Sequence, residues 1–162
     1  MSFLGKVKKK LRNGSWYPFY NTFYEKNNLD PHMILLESRS GKALESNILS
    51  LLKELCQEPY RSFTLVLSVH RDSENEIKEK LQKNSIQGIH FVRTGSVAYY
   101  HALSRAGYLV NDTSFPGRFI KKEGQIYLNT WHGTPLKKMG RDNRPEMVTC
   151  LLYTSDAADE AR

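Results

Sequence analysis

The segment at residues 129–138, NTWHGTPLKK, holds the residue types best suited to chemistry. His132 stands at the tip of a predicted strand, and the glycine that follows it allows a ligand to approach the backbone closely. Pro135 suits the start of a following helix, which would place Lys137 and Lys138 in or near the first turn. A histidine in this setting could serve as a general base toward a phosphate-bearing substrate.

Positive charge is concentrated around His132. Residues 115–144 contain seven Lys and Arg against two acidic residues, a net charge of +5. Nearby cations disfavour protonation of an imidazole, so His132 is expected to stay neutral near pH 7, as a general base must. The same cations suit a substrate with more than one phosphate. A buried structural histidine beneath a basic surface is the alternative interpretation.

Short apolar runs alternate with helical patterns from residue 33 onward, and this alternation would position the segment. Apolar residues at helical spacing predict the helices, one opened by a capping box of Ser73 and Glu76 and the next capped by Ser96. The pattern predicts βαβ units, and therefore a doubly wound α/β fold with a parallel sheet covered on both faces. Strands are predicted at residues 33–36, 63–69, 89–92, 108–110 and 125–130.

The residues that follow each predicted strand are further candidates, because ligands bind outside the carboxyl ends of strands in open α/β sheets. Gly95 and Ser96 open a helix whose free N–H groups make a general anion site. Asn111 and Asp112 follow the fourth strand, and Asp112 is the nearest carboxylate. Residues 38–42 lack the glycine spacing of a phosphate-binding loop, which favours a simple strand-to-helix turn. No His, Cys or carboxylate pair has metal-ligand spacing.

Composition bounds the class of protein. The 162 residues are 40% hydrophobic and 25% charged, which excludes disordered and collagen-like chains. Lys and Arg number 24 against 17 Asp and Glu, so the net charge of +7 suits anionic or phosphate-rich partners. Two cysteines exclude a disulfide framework. Without a membrane-spanning run or a signal peptide, a cytoplasmic protein is expected.

The first thirty residues have a different character. Residues 1–14 place four apolar side chains at roughly helical spacing among five basic ones. This pattern is typical of a helix that lies on an anionic membrane, and a solvated leader is the alternative. Six aromatic residues follow at positions 16–24. They indicate either an interfacial cluster or a helix packed on the domain, and the packed helix is the favoured interpretation.

The segment around His132 resembles the signature of the CDP-glycerol glycerophosphotransferase family, the teichoic acid primases and polymerases of Gram-positive bacteria. Its most specific part is WHGTPLK. The resemblance covers roughly residues 33–144, and three further stretches resemble the family in the same order: MILLESRSGKALESN (33–47), TGSVAYYHALSRAGYLVNDTSFP (94–116) and GQIYLNTWHG (124–133).

The resemblance implies that the chain is most of the N-terminal, Rossmann-like half of a GT-B fold. The implied reaction transfers glycerol phosphate from CDP-glycerol to a lipid-linked or polymeric glycerol phosphate acceptor, and CMP leaves. His132 would be the catalytic base for the acceptor hydroxyl. No motif calls for a metal or a cofactor. The residues expected to bind substrate are Trp131, Gly133, Thr134, Lys137, Lys138, Arg141, Gly95, Ser96, Asn111 and Asp112.

The expected partners follow from the same resemblance. They are CDP-glycerol, the lipid-linked acceptor or growing teichoic acid chain, and an anionic membrane surface, with no nucleic acid. The family is peripheral at the inner face of the cell membrane, which favours the membrane interpretation of residues 1–14. We infer that Lys137, Lys138 and Arg141 hold acceptor phosphates.

Residues 150–160 resemble the translation of a sequencing adapter, so the gene is expected to continue differently past about residue 149. Residues 151–162 carry a net charge of −2, and without them the chain would carry +9. The expected organisation is a leader at 1–30, an incomplete Rossmann-like domain at 31–149 and an artefact at 150–162. Because the family places much of its donor site in the other half, the fragment itself is expected to be inactive and to fold poorly.

Two alternatives to glycerol phosphate transfer stay open. One keeps the fold and changes the donor to CDP-ribitol or another activated polyol. The other is a non-catalytic basic module that binds a membrane or nucleic acid, which predicts basic residues without a focal histidine. The cluster around His132 argues against the second alternative, although the leader fits it.

Overall fold

The computed structural model of the chain describes residues 17–116 and 119–131. Its centre is a sheet of parallel strands in the order β3-β2-β1-β4-β5. This is the order of a Rossmann-type sheet, in which the chain moves outward from β1 in one direction and then returns to extend the other side. The predicted α/β fold with a parallel sheet is confirmed. The strands are β1 (Asp30–Glu37), β2 (Thr64–Val69), β3 (His90–Arg93), β4 (Ala106–Asn111) and β5 (Ile126–Asn129).

Four helices lie in the described part of the chain, and three of them connect strands. They are α1 (Tyr17–Lys26), α2 (Ser46–Leu55), α3 (Glu74–Lys83) and α4 (Val97–Arg105). Helices α2, α3 and α4 each follow one strand and lead to the next, as expected for successive βαβ units. Within these same residues, no helix is both long enough and apolar enough to cross a membrane. Short 3-10 turns lie at Arg39–Gly41, Glu58–Tyr60 and Arg71–Ser73.

The two faces of the sheet bury separate apolar clusters. On one face Leu36 of β1 packs with Ile48 of α2 and Ile77 of α3. On the other face Leu35 packs with Tyr20 of α1 and Leu103 of α4. Because both faces are covered, the central strands contain short continuous apolar runs, such as residues 33–36 of β1 and 65–67 of β2, rather than alternating with polar residues.

Helix α1 packs on the domain through its aromatic side chains. Tyr20 is only 2% exposed, and its ring centroid lies 6.1 Å from that of Tyr100 and 6.2 Å from that of Phe119. Its hydroxyl donates to the backbone oxygen of Ile120 at 2.7 Å. Of the two interpretations of the aromatic segment, the packed helix is therefore the one that the structure confirms.

Helix capping follows the prediction at one position and departs from it at another. Ser96 caps α4, since its Oγ accepts a hydrogen bond from the backbone nitrogen of Tyr99 at 3.1 Å. Ser73 precedes α3 but its side chain makes no capping hydrogen bond, so the predicted capping box is wrong. The reason is the 3-10 turn that leads directly into α3, in which the nitrogen of Ser73 donates to the oxygen of His70 at 3.1 Å.

Helix α4 passes into β4 without a loop, and a buried glutamine makes this junction possible. The Nε2 of Gln125 donates to the backbone oxygen of Leu103 at 3.0 Å and to that of Ala106 at 2.7 Å. These bonds satisfy carbonyls that the end of a helix leaves without partners. The strand consequently begins at Ala106, and Gly107 lies inside β4.

Candidate functional site

A row of polar side chains crosses the sheet at the carboxyl ends of its strands. The register aligns Glu37 of β1 with Ser68 of β2 and Asn111 of β4, and aligns Asn111 with Asn129 of β5. Side chains in register on parallel strands lie on the same face. The strand order reverses between β1 and β4, which is where open α/β sheets bind ligands. The candidate site is this edge of the sheet.

Glu37 is the most unusual member of the row. It is 1% exposed, and burial raises the pKa of its carboxyl to about 7, although the nearby hydroxyls of Ser68 and Tyr99 lower it and Asp112 raises it further. Its Oε2 has no hydrogen-bond partner among residues 17–116 and 119–131, and the same holds for the hydroxyl of Tyr99. The carboxyl thus titrates near neutral pH inside the fold.

Asp112, predicted to bind substrate, uses both carboxylate oxygens within the domain. Its Oδ2 accepts from the hydroxyl of Ser38 at 2.7 Å, and its Oδ1 accepts from the backbone nitrogen of Arg39 at 2.7 Å. The side chain is 3% exposed. The hydroxyl of Ser38 in turn accepts from the nitrogen of Glu45 at 3.2 Å. Asp112 therefore anchors the loop that joins β1 to α2.

This loop is tightly folded against the neighbouring strands. Arg39, Ser40 and Gly41 all have positive φ angles, of 48°, 55° and 77°. The oxygen of Gly41 accepts from the nitrogen of His70 at 2.6 Å, which ties the loop to the end of β2. A Cβ at Gly41 would overlap the Oγ1 of Thr94, the residue that follows β3. The loop is thus fixed to the ends of three strands.

Gly95 and Ser96 lie where the sequence predicted them, at the start of α4. Gly95 has a φ of 75°, and the hydroxyl of Ser96 is used to cap the helix. They follow β3, which is an outer strand, whereas the segment that leads to His132 follows β5, the opposite outer strand. Four strand spacings separate the two, or about 19 Å. No hydrogen bond in the described part of the chain joins them to Asn111, Asp112 or Trp131.

Asn111 and Trp131, by contrast, belong to one hydrogen-bonded group. The backbone oxygen of Asn111 accepts from the nitrogen of Thr130 at 2.8 Å, and its Oδ1 accepts from the hydroxyl of Tyr127 at 3.0 Å. The Oδ1 of Asn129 accepts from the nitrogen of Trp131 at 2.9 Å. The end of β4 thus holds the segment that leaves β5, and Trp131 is carried outward, 49% exposed.

Asn47 of α2 also contacts this segment, and nothing in its sequence neighbourhood singled it out. Its Nδ2 donates to the backbone oxygen of Trp131 at 2.9 Å and to that of Thr130 at 3.3 Å. The contact spans 84 positions of the chain, so only the tertiary fold brings the partners together. Glu37 was likewise not among the predicted site residues, although a glutamate that ends an apolar strand is a visible signal.

The remaining predicted site residues, His132, Gly133, Thr134, Lys137, Lys138 and Arg141, lie outside the described residues, as does the leader at residues 1–14. Among residues 17–116 and 119–131, no group of three His, Cys, Asp or Glu side chains could hold a metal ion. The described edge therefore offers hydrogen-bonding groups, one buried carboxyl and a backbone segment that ends at Trp131, the residue before His132 in the sequence.

Comparison with known sequences decides the family. A model of the CDP-glycerol:poly(glycerophosphate) glycerophosphotransferase family matches residues 19–160. The chain belongs to this family. The match includes the WHGTPLK segment and every strand of the sheet, so the resemblance expected from the sequence is confirmed.

Individual members of the glycerophosphotransferase family share about three residues in ten with the chain. The teichoic acid poly(glycerol phosphate) polymerase of Staphylococcus epidermidis is 31% identical over 123 residues, which cover 76% of the chain and 16% of that polymerase. The teichoic acid glycerol-phosphate transferase of Staphylococcus aureus is 27% identical over 137 residues, which cover 84% of the chain and 33% of that transferase. The chain therefore spans between a sixth and a third of the length of these glycerophosphotransferases.

Solved structures of the family agree with the fold. The wall teichoic acid polymerase TagF, in a variant soaked with CDPG, superposes with a TM-score of 0.62 at 26% identity, covering 89% of the chain and 35% of TagF. A second TagF variant gives a TM-score of 0.61 at 28% identity, covering 87% of the chain and 33% of TagF. This likeness confirms the predicted fold class, a Rossmann-like part of a GT-B fold.

Proposed function

We propose that the chain is most of the N-terminal, Rossmann-like half of the GT-B fold in an enzyme that transfers glycerol phosphate from CDP-glycerol to a lipid-linked or polymeric glycerol phosphate acceptor in teichoic acid synthesis. The observation that carries this proposal is the family match across residues 19–160. Because the chain spans 16% to 33% of its curated relatives, the activity is assigned to the longer protein. The chain alone is expected to be inactive.

His132 is the proposed general base. It takes the proton of the acceptor hydroxyl as that oxygen attacks the phosphorus of the glycerol phosphate group. The bond from this phosphorus to the oxygen of the CMP leaving group breaks, and CMP departs with the bonding electrons. One support is the position of His132 in the sequence, two residues after Thr130, whose nitrogen donates to the oxygen of Asn111 at the end of β4. The other is the net charge of +5 in residues 115–144.

Charge neutralisation supplies the other part of the proposed mechanism. Lys137, Lys138 and Arg141 are proposed to bind acceptor phosphates, and Trp131, Gly133 and Thr134 to line the same site. Fixed positive charge stabilises the phosphate oxygens as the glycerol phosphate group passes from CMP to the acceptor. Of the predicted binding residues that follow the other strands, Asn111 is proposed to support this site through Thr130, whereas Asp112 contributes by holding the β1 loop.

CDP-glycerol is the proposed donor because the family description and its named relatives all specify glycerol phosphate. CDP-ribitol, the alternative donor, differs by two additional carbons that each carry a hydroxyl. Turnover with the two donors, measured side by side in the complete protein, tests this choice. A higher kcat/KM for CDP-ribitol would contradict it.

The role of His132 is tested by His132→Ala in the complete protein. Loss of the base should lower release of CMP from CDP-glycerol about 10³-fold. His90→Ala is the matched control, since His90 is an exposed histidine on the outer strand β3 and lies outside the proposed site. Near-normal turnover in His132→Ala, with His90→Ala also active, would remove His132 from the mechanism.

The proposed location is the cytoplasmic face of the cell membrane, where residues 1–14 bind anionic lipid. Their five basic residues interleaved with four apolar ones support this proposal. Deletion of residues 1–14 should reduce sedimentation with vesicles that contain phosphatidylglycerol and leave the low background with phosphatidylcholine vesicles unchanged. Equal sedimentation of the two proteins with anionic vesicles would refute the membrane role.

A further inference from the structure

We propose that Asn47 is a positioning residue, which holds the backbone that leads from β5 to His132 in its working orientation. The inference rests on the proposed function of His132. Asn47 lies in the first turn of α2, on the surface, and has no place in the chemistry itself. Asn47 would act only through the main chain of Thr130 and Trp131, the two residues that precede the base.

The geometry is that of one amide group holding two successive carbonyls. The Nδ2 of Asn47 donates to the oxygen of Trp131 at 2.9 Å and lies 3.3 Å from the oxygen of Thr130. An amide nitrogen carries two hydrogens, so both bonds can exist together. Helix α2 is thereby joined to a segment that otherwise depends on β4 and on its own side chains.

The segment needs such support because its backbone conformation is disfavoured. Trp131 has a φ of 49°, in the left-handed region that side chains other than glycine rarely adopt. Such a conformation persists where the surroundings over-determine it. Here the nitrogen of Trp131 donates to the Oδ1 of Asn129, and its oxygen accepts from Asn47. Both ends of the residue are held by asparagine side chains.

Control of the Trp131 carbonyl matters for the next residue. The peptide bond is planar, so the direction of this carbonyl also sets the direction of the nitrogen of His132. A general base works only within hydrogen-bond reach of its proton, and small displacements reduce the rate severely. Asn47 would therefore influence turnover more than donor binding.

Substitution by aspartate distinguishes the positioning role of Asn47 from a role in stabilising helix α2. In the first turn of a helix, a carboxylate interacts favourably with the positive end of the helix dipole, so Asn47→Asp should stabilise α2 taken alone. Beside the oxygens of Trp131 and Thr130, however, the same carboxylate has no hydrogen to donate and is repelled. The positioning role predicts that Asp is worse than Ala, and a purely helical role predicts the reverse.

The test uses the complete enzyme and steady-state release of CMP from CDP-glycerol. Asn47→Ala should lower kcat about tenfold and change KM less than twofold, and Asn47→Asp should lower kcat further. Asn84→Ala is the control, since the Nδ2 of Asn84 also donates to a backbone oxygen, that of Lys80 at 2.7 Å, but at the end of α3. Thermal unfolding of each variant shows that it is folded.

The outcomes are separable. If His132→Ala is inactive but Asn47→Ala matches Asn84→Ala in kcat, the positioning role is overturned and the proposed function stands. A kcat for Asn47→Asp above that for Asn47→Ala would also overturn it. Retained turnover in His132→Ala would overturn the function of His132 and the positioning role with it. A fall in kcat for Asn47→Ala with KM nearly unchanged, absent in Asn84→Ala, would support the role.

Discussion

Two segments at the same edge of the sheet are built in opposite ways. The loop after β1, residues 38–42, is closed, with Ser38 bonded to buried Asp112 and Gly41 packed against the ends of β2 and β3. The segment after β5, residues 130–131, is open, and Trp131 is 49% exposed. One segment is fixed by burial, and the other is held at the surface by amide side chains.

The difference teaches which polar residues are available for chemistry. The loop after β1 contains Ser, Arg and Lys in a glycine-containing turn, residue types that could bind a phosphate. The hydroxyl of Ser38 and the backbone nitrogen of Arg39 are instead occupied by Asp112. The segment after β5 is bonded mainly through its backbone, and the side chain of Trp131 stays exposed. Residue types alone do not separate the two cases.

The largest expected effect is that of Gly41→Ala in the closed loop. The φ of 77° disfavours any side chain, and the new Cβ would overlap Thr94 and lie 2.8 Å from the nitrogen of His70. Strain and overpacking together should lower the free energy of unfolding by about 4 kcal/mol. Urea denaturation of the complete protein and of its Gly41→Ala variant measures this loss.

Gly88→Ala is the matched control for this substitution. Gly88 has nearly the same φ, 74°, but no atom lies within 4 Å of a Cβ built there. Only the backbone penalty remains, and the loss should be about 1 kcal/mol. Equal losses at Gly41 and Gly88 would mean that the loop after β1 is not packed as tightly as its contacts indicate, and the contrast between the two segments would be lost.

The next effect concerns Glu37 and depends on pH. An unfolded glutamate titrates near 4.5, whereas burial raises the pKa of Glu37 to about 7 in the folded chain. Between these values the unfolded chain releases a proton that the folded chain retains, so stability falls as the pH rises from 4.5 to 7. The difference in pKa corresponds to about 3 kcal/mol.

Glu37→Gln should remove this dependence, because the amide stays neutral at every pH. Urea midpoints at pH 5 and pH 8 measure it, and the variant should lose less stability between the two than the parent chain does. Glu79→Gln, at an exposed position of α3, serves as the control and should leave the pH dependence unchanged. An identical loss in the parent chain and in Glu37→Gln would show that Glu37 is not the group responsible.

Local features of this fold were predictable because their causes are local. Apolar runs bounded by turn residues located all five strands to within a few residues, and the spacing of Ser96 ahead of an apolar helix face correctly predicted a cap. Ser73 has the same type of signal, but a 3-10 turn before α3 took over its backbone donor. Such a turn depends on the path of the chain as it leaves β2, and the spacing of residues in the sequence does not predict that path.

The site was less predictable because its contacts are distant in sequence. Asn47 reaches Trp131 across 84 positions, and Ser38 reaches Asp112 across 74. Asp112 was correctly located at a strand end, but its partners determine that it holds a loop. The proposed base His132 was found from its motif and flanking charge, which are visible in the sequence without any tertiary contact.

The smallest expected losses of stability come from removing one hydroxyl group in each segment. Ser38→Ala removes a buried hydrogen bond of 2.7 Å to a carboxylate, which should cost about 2 kcal/mol of stability. Thr130→Val removes a hydroxyl whose acceptors, the oxygens of Asn111 and Trp131, both lie 3.3 Å away, and should cost about 0.5 kcal/mol. Urea denaturation compares the two. If Thr130→Val lowers stability as much as Ser38→Ala, the segment after β5 is fixed as firmly as the loop after β1. The two segments would then differ only in how exposed they are to solvent.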